Sequence, residues 1–129
     1  MLYKVLVVDD ETPVRDLLND LLKREDCGVT TCASGEAALE ELKKNPFDIV
    51  LLDIKLPGIS GLEVLKNIRE TNKELPVIMI TGFGYNEDLI NKSKEFGCSG
   101  YIGKNMPVAQ IITTFKKIAQ EVKSGKAGS

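Results

Sequence analysis

The sequence predicts an α/β fold in which five short parallel strands alternate with five helices. Apolar runs typical of strands begin about 20–28 residues apart, which leaves room for one strand, one helix and two loops per unit. The segments between them carry apolar residues with the i, i+3, i+4 spacing of amphipathic helices. Because five such units use up the 129 residues, we expect a single domain.

The predicted strands divide into three central and two edge strands. Residues 5–8, 49–52 and 77–80 are uninterrupted apolar runs, as in parallel strands covered on both faces. The second strand is more polar and the fifth is very short, which is typical of edges. This pattern predicts the doubly wound order 2-1-3-4-5 of flavodoxin-like folds, with helices on both faces. The predicted spans are residues 3–8, 28–32, 47–52, 76–80 and 100–102.

Four of the predicted helices have a clear apolar face. The first has Thr12 as its predicted N-cap and Pro13 as its first helical residue. The second is predicted over about residues 34–44, the third opens with the capping-box pattern Ser60-Gly61-Leu62-Glu63, and the last begins near Pro107. The predicted inward-facing residues are Val14, Leu17, Leu18, Leu21 and Leu22; Ala38, Leu39 and Leu42; Leu62, Leu65 and Ile68; and Val108, Ile111, Ile112, Phe115, Ile118, Ala119 and Val122.

The fourth predicted helix, within residues 85–96, has less apolar surface. Only Leu89 and Ile90 are clearly apolar there, and the preceding loop Thr81-Gly82-Phe83-Gly84 contains two glycines. We therefore expect low local stability in this region. The domain is predicted to span residues 1–122, followed by a flexible tail of small and polar residues, 123–129.

The composition excludes several kinds of protein. With no histidine, the chain has no Ser-His or Cys-His pair, no imidazole metal ligand and no phosphohistidine of its own. Its 17 basic and 19 acidic residues are interspersed, which argues against nonspecific nucleic-acid binding. Cys27, Cys32 and Cys98 fit neither a zinc spacing nor a disulfide framework and indicate a cytoplasmic protein with reduced thiols. The N-terminus MLYKVLVVDD is neither a signal peptide nor a membrane span.

Polar residues follow four of the predicted strands and point to a site at one edge of the sheet. They are Asp9, Asp10 and Glu11 after the first strand, Asp53 after the third, Thr81 after the fourth and Lys104 after the fifth. Singly, each could be an ordinary helix cap, turn residue or surface lysine. In the predicted fold they converge at the edge where such sheets bind ligands. Clustered carboxylates repel one another without a cation, and oxygen-only ligands favour Mg²⁺.

Carboxylates, a hard cation, a lysine and a hydroxyl together make a phosphoryl-binding site. Aspartate can act as the nucleophile that forms an aspartyl-phosphate. Asp53 is the best candidate, because it is the lone acid after a central strand, while Asp9 and Asp10 can hold the metal beside it. The chain has no Gly-rich phosphate loop, which argues against ATP as the direct donor.

The chain resembles the receiver domain of two-component response regulators over roughly residues 3–122. The motifs that carry the resemblance are VLVVDDE, LLDIKLPGISGLEVL, ITG and GYIGK, which are specific in combination. The site implied by the resemblance comprises the phospho-acceptor Asp53, the metal ligands Asp9, Asp10, Asp53 and the main-chain carbonyl of Lys55, the phosphate-binding residues Thr81 and Lys104, and the switch pair Thr81 and Tyr101.

The environment of Tyr101 and the loop after Lys104 are predicted separately. From the residues alone, Tyr101 would be an edge-strand aromatic packed on the last helix, whereas the resemblance implies a ring that turns inward when Thr81 moves toward the phosphate. The family commonly has Pro directly after the lysine, often with a cis bond, but here Asn105 and Met106 precede Pro107. A cis bond before a non-proline residue costs roughly 2.5–4 kcal/mol, so we expect this loop to depart from the usual geometry.

The resemblance implies a stand-alone receiver that uses Mg²⁺. Its expected partners are a sensor histidine kinase or histidine phosphotransfer protein and an unknown downstream protein, with neither nucleic acid nor membrane. Since 129 residues leave no room for a DNA-binding or catalytic output domain, we expect output through protein contacts, unless the chain is a fragment of a longer protein. We expect a phospho-acceptor that assists its own phosphorylation and dephosphorylation, not an enzyme.

Two alternatives stay open from the residues. A small phosphohydrolase with an aspartate nucleophile usually has a second acid two residues after it, and position 55 is Lys. A flavodoxin-like adaptor would use the same acids only for structure.

Overall fold

A computed structural model describes residues 2–82 and 87–123. Its strands are β1 (Lys4–Val8), β2 (Gly28–Cys32), β3 (Ile49–Asp53), β4 (Val77–Thr81) and β5 (Gly100–Gly103). Its helices are α1 (Thr12–Arg24), α2 (Gly35–Lys44), α3 (Gly61–Thr71), α4 (Glu87–Glu95) and α5 (Val108–Lys123). The strands are all parallel in the order β2-β1-β3-β4-β5, which confirms the predicted α/β class and the doubly wound topology.

The sheet separates two apolar layers. One contains buried residues of α1 and α5, among them Leu22 and Phe115, and the other contains buried residues of α2, α3 and α4, among them Val64 and Ile90. Side chains alternate across the central strands, so successive residues of β1 enter opposite layers. Both faces of the central strands are therefore covered, as their continuous apolar sequence predicts.

The start of α1 differs from the prediction. Glu11, not Thr12, is the N-cap, and its carbonyl already accepts hydrogen bonds from the N–H groups of Val14 and Arg15, both at 3.1 Å. Thr12 is the first helical residue, so Pro13 is the second. The Thr12 hydroxyl accepts from the Arg15 guanidinium at 3.0 Å and caps no main-chain group of its helix.

The predicted apolar faces of the first and last helices each include one residue that is exposed in the structure. Leu17 is 42% exposed and Val108 is 46% exposed, although both were expected to face the core. Leu17 lies at the margin of the apolar stripe of α1, where a helix of 3.6 residues per turn begins to face solvent. Val108 is the first residue of α5 and so lies at the end of that helix. Val122 lies outside the described side chains.

The boundaries of several elements shift by one or two residues. Asp53 and Thr81 are the last residues of β3 and β4, whereas the predicted strands stop one residue earlier. Helix α5 includes Lys123, the first residue of the predicted tail, and residues 124–129 lie outside the described part. Residues 83–86 are also outside it, and they include the second half of the predicted glycine loop, Phe83-Gly84, and the first two residues of the predicted fourth helix. None of the described helices is both long and apolar enough to cross a membrane.

Candidate functional site

The predicted site residues meet at the carboxyl edge of the sheet. Asp9 follows β1, Asp53 and Thr81 end β3 and β4, and Lys104 follows β5. Because the strands are parallel, these four positions share one edge. They adjoin a cleft of about 390 Å³, lined among others by Asp10, Asp53, Thr81 and Lys104.

Asp9 is held by its main chain and is fully buried. Its N–H donates to the carbonyl of Cys32 at 3.1 Å, and its carbonyl accepts from the Arg15 guanidinium at 2.7 Å. Its side-chain Oδ1 accepts from the N–H of Glu11 at 2.8 Å. These contacts fix the direction of the Asp9 carboxylate at the end of β1.

Asp53 is 3% exposed and has a different partner on each carboxylate oxygen. Oδ1 accepts from the N–H of Lys55 at 3.2 Å, and Oδ2 lies 3.1 Å from the ammonium of Lys104. Burial, together with the negative charge of Asp9, raises the pKa of Asp53 to about 6, although Lys104 and the Lys55 N–H oppose the rise. At neutral pH most of Asp53 is ionised, as a nucleophile requires.

Lys104 carries the positive charge of the site. Its Nζ donates hydrogen bonds to Glu11 Oε2 at 2.5 Å, Asp53 Oδ2 at 3.1 Å and Asp9 Oδ1 at 3.4 Å. Asp9 Oδ2 is an ion-pair partner at 3.1 Å, without hydrogen-bond geometry. Burial opposes the charge of the ammonium, but hydrogen bonds to Glu11, Asp53 and Asp9 outweigh burial and hold the Lys104 pKa above its ordinary value. Lys104 is thus charged at any physiological pH. The peptide bonds of the described residues are all trans, that between Lys104 and Asn105 included.

The acidic cluster suits a divalent cation. Asp9, Asp10 and Asp53 each offer a carboxylate oxygen, and the three oxygens lie within 4.8 Å of one another. Asp9 Oδ2 is buried, and no donor in the described part of the chain reaches it with hydrogen-bond geometry. A buried acceptor without a hydrogen bond is costly unless a ligand satisfies it. Oxygen ligands without nitrogen or sulfur favour a hard cation such as Mg²⁺.

Thr81 and Tyr101 lie on neighbouring strands. The Thr81 hydroxyl lines the cleft and donates to the carbonyl of Ile102 at 3.3 Å. Tyr101 packs into the layer of α2, α3 and α4, with Lys94 Nζ 5.8 Å from the centre of its ring. The expectation that its ring packs on the last helix is therefore wrong, since Ile102, not Tyr101, faces the α5 side.

Four residues that the predictions did not assign support the site. Glu11 bonds Lys104 and Arg15 bonds the Asp9 carbonyl, as described above. Glu36 of α2 accepts from the N–H of Ile59 at 3.3 Å and so braces the loop after β3. A Cβ on Gly61 would lie 1.9 Å from the Asp53 carbonyl oxygen, so only glycine lets α3 begin this close to the acceptor strand.

The sequence positions of three of these four supporting residues could have indicated that they belong to the site. Glu11 follows the acid pair directly, Arg15 is one helical turn further on, and Gly61 follows a predicted N-cap. Their partners, however, lie far along the chain or on the main chain, and residue spacing does not reveal such contacts. Lys55 is placed beside Asp53 through its N–H, and the part of its carbonyl in metal binding stays a prediction.

Comparison with known families agrees with this arrangement. The model of the response regulator receiver domain matches residues 5–116 of the chain, which include all the residues of the acidic cleft. The chain belongs to the response regulator receiver domain family. Receiver domains are signalling proteins that accept phosphoryl groups, and their acidic pocket is a place for a divalent metal.

Individual relatives share most of this receiver domain. Sporulation initiation phosphotransferase F of Bacillus subtilis is 36% identical over 114 residues, which cover 88% of this chain and 91% of the relative. A CheY-like receiver domain protein of Methanospirillum hungatei has a TM-score of 0.90 at 26% identity, covering 97% of this chain and 99% of that structure. NtrX of Brucella abortus, solved in complex with ATP, has a TM-score of 0.90 at 30% identity. The match covers 98% of this receiver domain and 29% of the NtrX chain.

Proposed function

We propose that this receiver domain takes a phosphoryl group from a phosphohistidine of a partner protein onto Asp53 and changes a protein-binding face in response. The observation that carries the proposal is the setting of Asp53: a buried carboxylate that adjoins an open cleft, 3.1 Å from a lysine ammonium and beside two further carboxylates. Nucleophile, counter-charge and cation ligands are thus present within one cleft.

The transfer makes one bond and breaks one. An Asp53 carboxylate oxygen attacks phosphorus, the P–O bond forms, and the P–N bond to the donor imidazole breaks. The imidazole leaves with its electron pair and takes a proton. Lys104 neutralises charge on the phosphoryl oxygens, and the Lys55 N–H fixes the Asp53 carboxylate. Mg²⁺, held by Asp9, Asp10, Asp53 and the Lys55 carbonyl, would supply further positive charge at the phosphoryl oxygens.

The proposed switch passes through Thr81. Its hydroxyl bonds the Ile102 carbonyl in the present structure and would turn to a phosphoryl oxygen after transfer. Tyr101, the next residue in β5, would then change its packing beside α4. The proposed output face is formed by α4, β5 and α5. The phosphoryl group is later lost to water or passed to another protein.

The proposed donors are a sensor histidine kinase or a histidine phosphotransfer protein in the cytoplasm. The donor's docking surface would include the exposed side of α1 near Pro13 and the loop after β5. Leu17 of α1 is 42% exposed and lies on this surface, since it lines a small pocket together with Lys104. No nucleic acid or membrane takes part in the proposed function.

The decisive experiment is phosphorylation with acetyl phosphate and Mg²⁺, read by intact mass. The wild-type chain should gain one phosphate and Asp53→Asn none. Asp20→Asn, an exposed aspartate of α1, is the matched control and should gain it like the wild type. A phosphate that persists in Asp53→Asn, or none on the wild type, contradicts the proposal. Multiple-turnover release of phosphate from small phosphoesters would instead support a phosphohydrolase.

A further inference from the structure

The ammonium of Lys104 has more carboxylate partners than the proposed function uses. Asp9 and Asp53 belong to the proposed acceptor site, whereas Glu11 has no part in it. Glu11 Oε2 nevertheless lies nearest to Nζ, at 2.5 Å. The side chains of Asp9 and Asp53 are 0% and 4% exposed, but that of Glu11 is 54% exposed. The most exposed of the three carboxylates thus makes the closest contact.

The main chain of Glu11 is anchored on both sides. Its N–H donates to Asp9 Oδ1 at 2.8 Å, and its carbonyl accepts from the first turn of α1. Glu11 is the N-cap of that helix, where a carboxylate could bond the free N–H groups, yet its side chain makes no cap hydrogen bond. The side chain reaches Lys104 instead, 93 residues away along the chain.

The number of donors on lysine makes this contact consequential. An ammonium has three N–H groups, and Lys104 has three carboxylate partners: Asp9, Glu11 and Asp53. A phosphoryl group on Asp53 can take over the donor that Asp53 Oδ2 now uses, and any further phosphoryl oxygen must displace Asp9 or Glu11 to reach Lys104. Asp9 is fully buried at the end of β1, whereas the side chain of Glu11 is 54% exposed and can turn into water.

We propose that Glu11 is the displaceable partner of Lys104, a positioning residue that occupies the ammonium in the resting state and yields it to the phosphoryl group. The inference rests on the proposed function, because it needs a phosphoryl group on Asp53. Glu11 opposes phosphoryl binding in two ways: its carboxylate occupies a donor of Lys104, and its charge repels the incoming anion. The same charge attracts Mg²⁺ to the neighbouring cluster.

Removing the charge of Glu11 should therefore strengthen the binding of an anion at the site and weaken the binding of a cation. In Glu11→Gln, beryllofluoride, which mimics a phosphoryl group on a carboxylate, should bind about two- to fivefold more tightly at saturating Mg²⁺, the range expected for a partly exposed ion pair. Mg²⁺ itself should bind about twofold more weakly for the same reason. If Glu11 had only a structural role, Glu11→Gln would weaken the binding of both beryllofluoride and Mg²⁺, since both ligands need the folded carboxyl edge of the sheet.

The experiment measures both affinities by calorimetry on the full chain. Glu11→Asp separates contact from charge: it keeps the carboxylate but is one methylene too short to hold Lys104. It should bind Mg²⁺ like the wild type and beryllofluoride more tightly. Asp20→Asn removes one charge further along α1 and should leave both affinities unchanged. Weaker or unchanged binding of beryllofluoride to Glu11→Gln would overturn the inference.

The two proposals fail in different ways. If the wild type binds no beryllofluoride in the presence of Mg²⁺, the proposed function fails and the role of Glu11 with it. If the wild type binds it and Asp53→Asn does not, but Glu11→Gln equals the wild type, only the role of Glu11 is wrong. Urea unfolding of each variant confirms that the compared proteins are folded.

Discussion

The two edges of the sheet use polar residues in opposite ways. At the amino edge, the Arg69 guanidinium donates to the carbonyls of Gly97, Asn72 and Leu75 at 2.7–3.1 Å, and Asp48 accepts from the N–H of Lys4 at 2.7 Å. At the carboxyl edge, charged side chains face one another, and Asp9 Oδ2 accepts no hydrogen bond from the described residues. One edge satisfies its own main chain, and the other keeps acceptors for a ligand.

This difference teaches how to tell a structural polar residue from a functional one. Arg69 donates to three main-chain carbonyls, that of Leu75 partly buried, so its contribution is to stability. Asp9 and Asp53 are buried beside each other with like charge, which disfavours folding unless a cation or Lys104 compensates. Polar groups that cost stability where they stand are candidates for function.

The largest expected effect is at Gly61, where the carboxyl edge is most crowded. In Gly61→Ala the new Cβ would lie 1.9 Å from the Asp53 carbonyl oxygen, so the main chain of β3 or α3 must move. We expect a loss of about 3 kcal/mol or more in the free energy of unfolding, measured with urea. Gly82→Ala is the control, since a Cβ there meets nothing within 4 Å. Equal urea midpoints for wild type and Gly61→Ala would contradict the prediction.

Substitution of Arg69 tests whether the amino edge of the sheet contributes to stability alone. Arg69→Met removes the hydrogen bonds to three carbonyls and should lower the free energy of unfolding by about 2 kcal/mol. Phosphorylation of Asp53 by acetyl phosphate, read by intact mass, should persist because the substitution lies at the opposite edge. Lys66→Met, an exposed lysine of the same helix, should change stability little. A phosphorylation defect as large as the stability defect would break the distinction between the edges.

Substitution of Asp53 is expected to raise the free energy of unfolding, by less than the preceding substitutions lower it. Its folded pKa of about 6 exceeds the ordinary 3.8, so the folded state binds the proton more tightly and stability falls as pH rises through this interval. Without Mg²⁺ at pH 7.5, Asp53→Asn should stabilise the protein by on the order of 1–2 kcal/mol. The gain should shrink below about pH 5, where the wild-type carboxyl is protonated. Thermal unfolding across pH checks this, and a gain that grows as pH falls would refute it.

The sequence predicted the fold well because the signals are local. The apolar runs of β1, β3 and β4 and the polarity of β2 indicated which strands are central. The convergence of Asp9, Asp53 and Lys104 followed from the strand order alone. Two tertiary contacts were not predicted, because they depend on the final geometry: the ion pair of Glu11 with Lys104 and the close approach of Gly61 to the Asp53 carbonyl. The side of Tyr101 was misjudged because an edge strand gives no periodic signal over so short a length.

The close approach at Gly61 also has a mechanical consequence. On one side of the acceptor, α3 begins against the Asp53 carbonyl, and the Gly61 N–H donates to the Ile54 carbonyl at 2.8 Å. On the other side, the Thr81 side chain is tied to β5 by one hydroxyl bond of 3.3 Å. The Gly61 contact therefore leaves α3 no room to move toward Asp53, whereas the Thr81 side chain can turn once its single hydroxyl bond is broken.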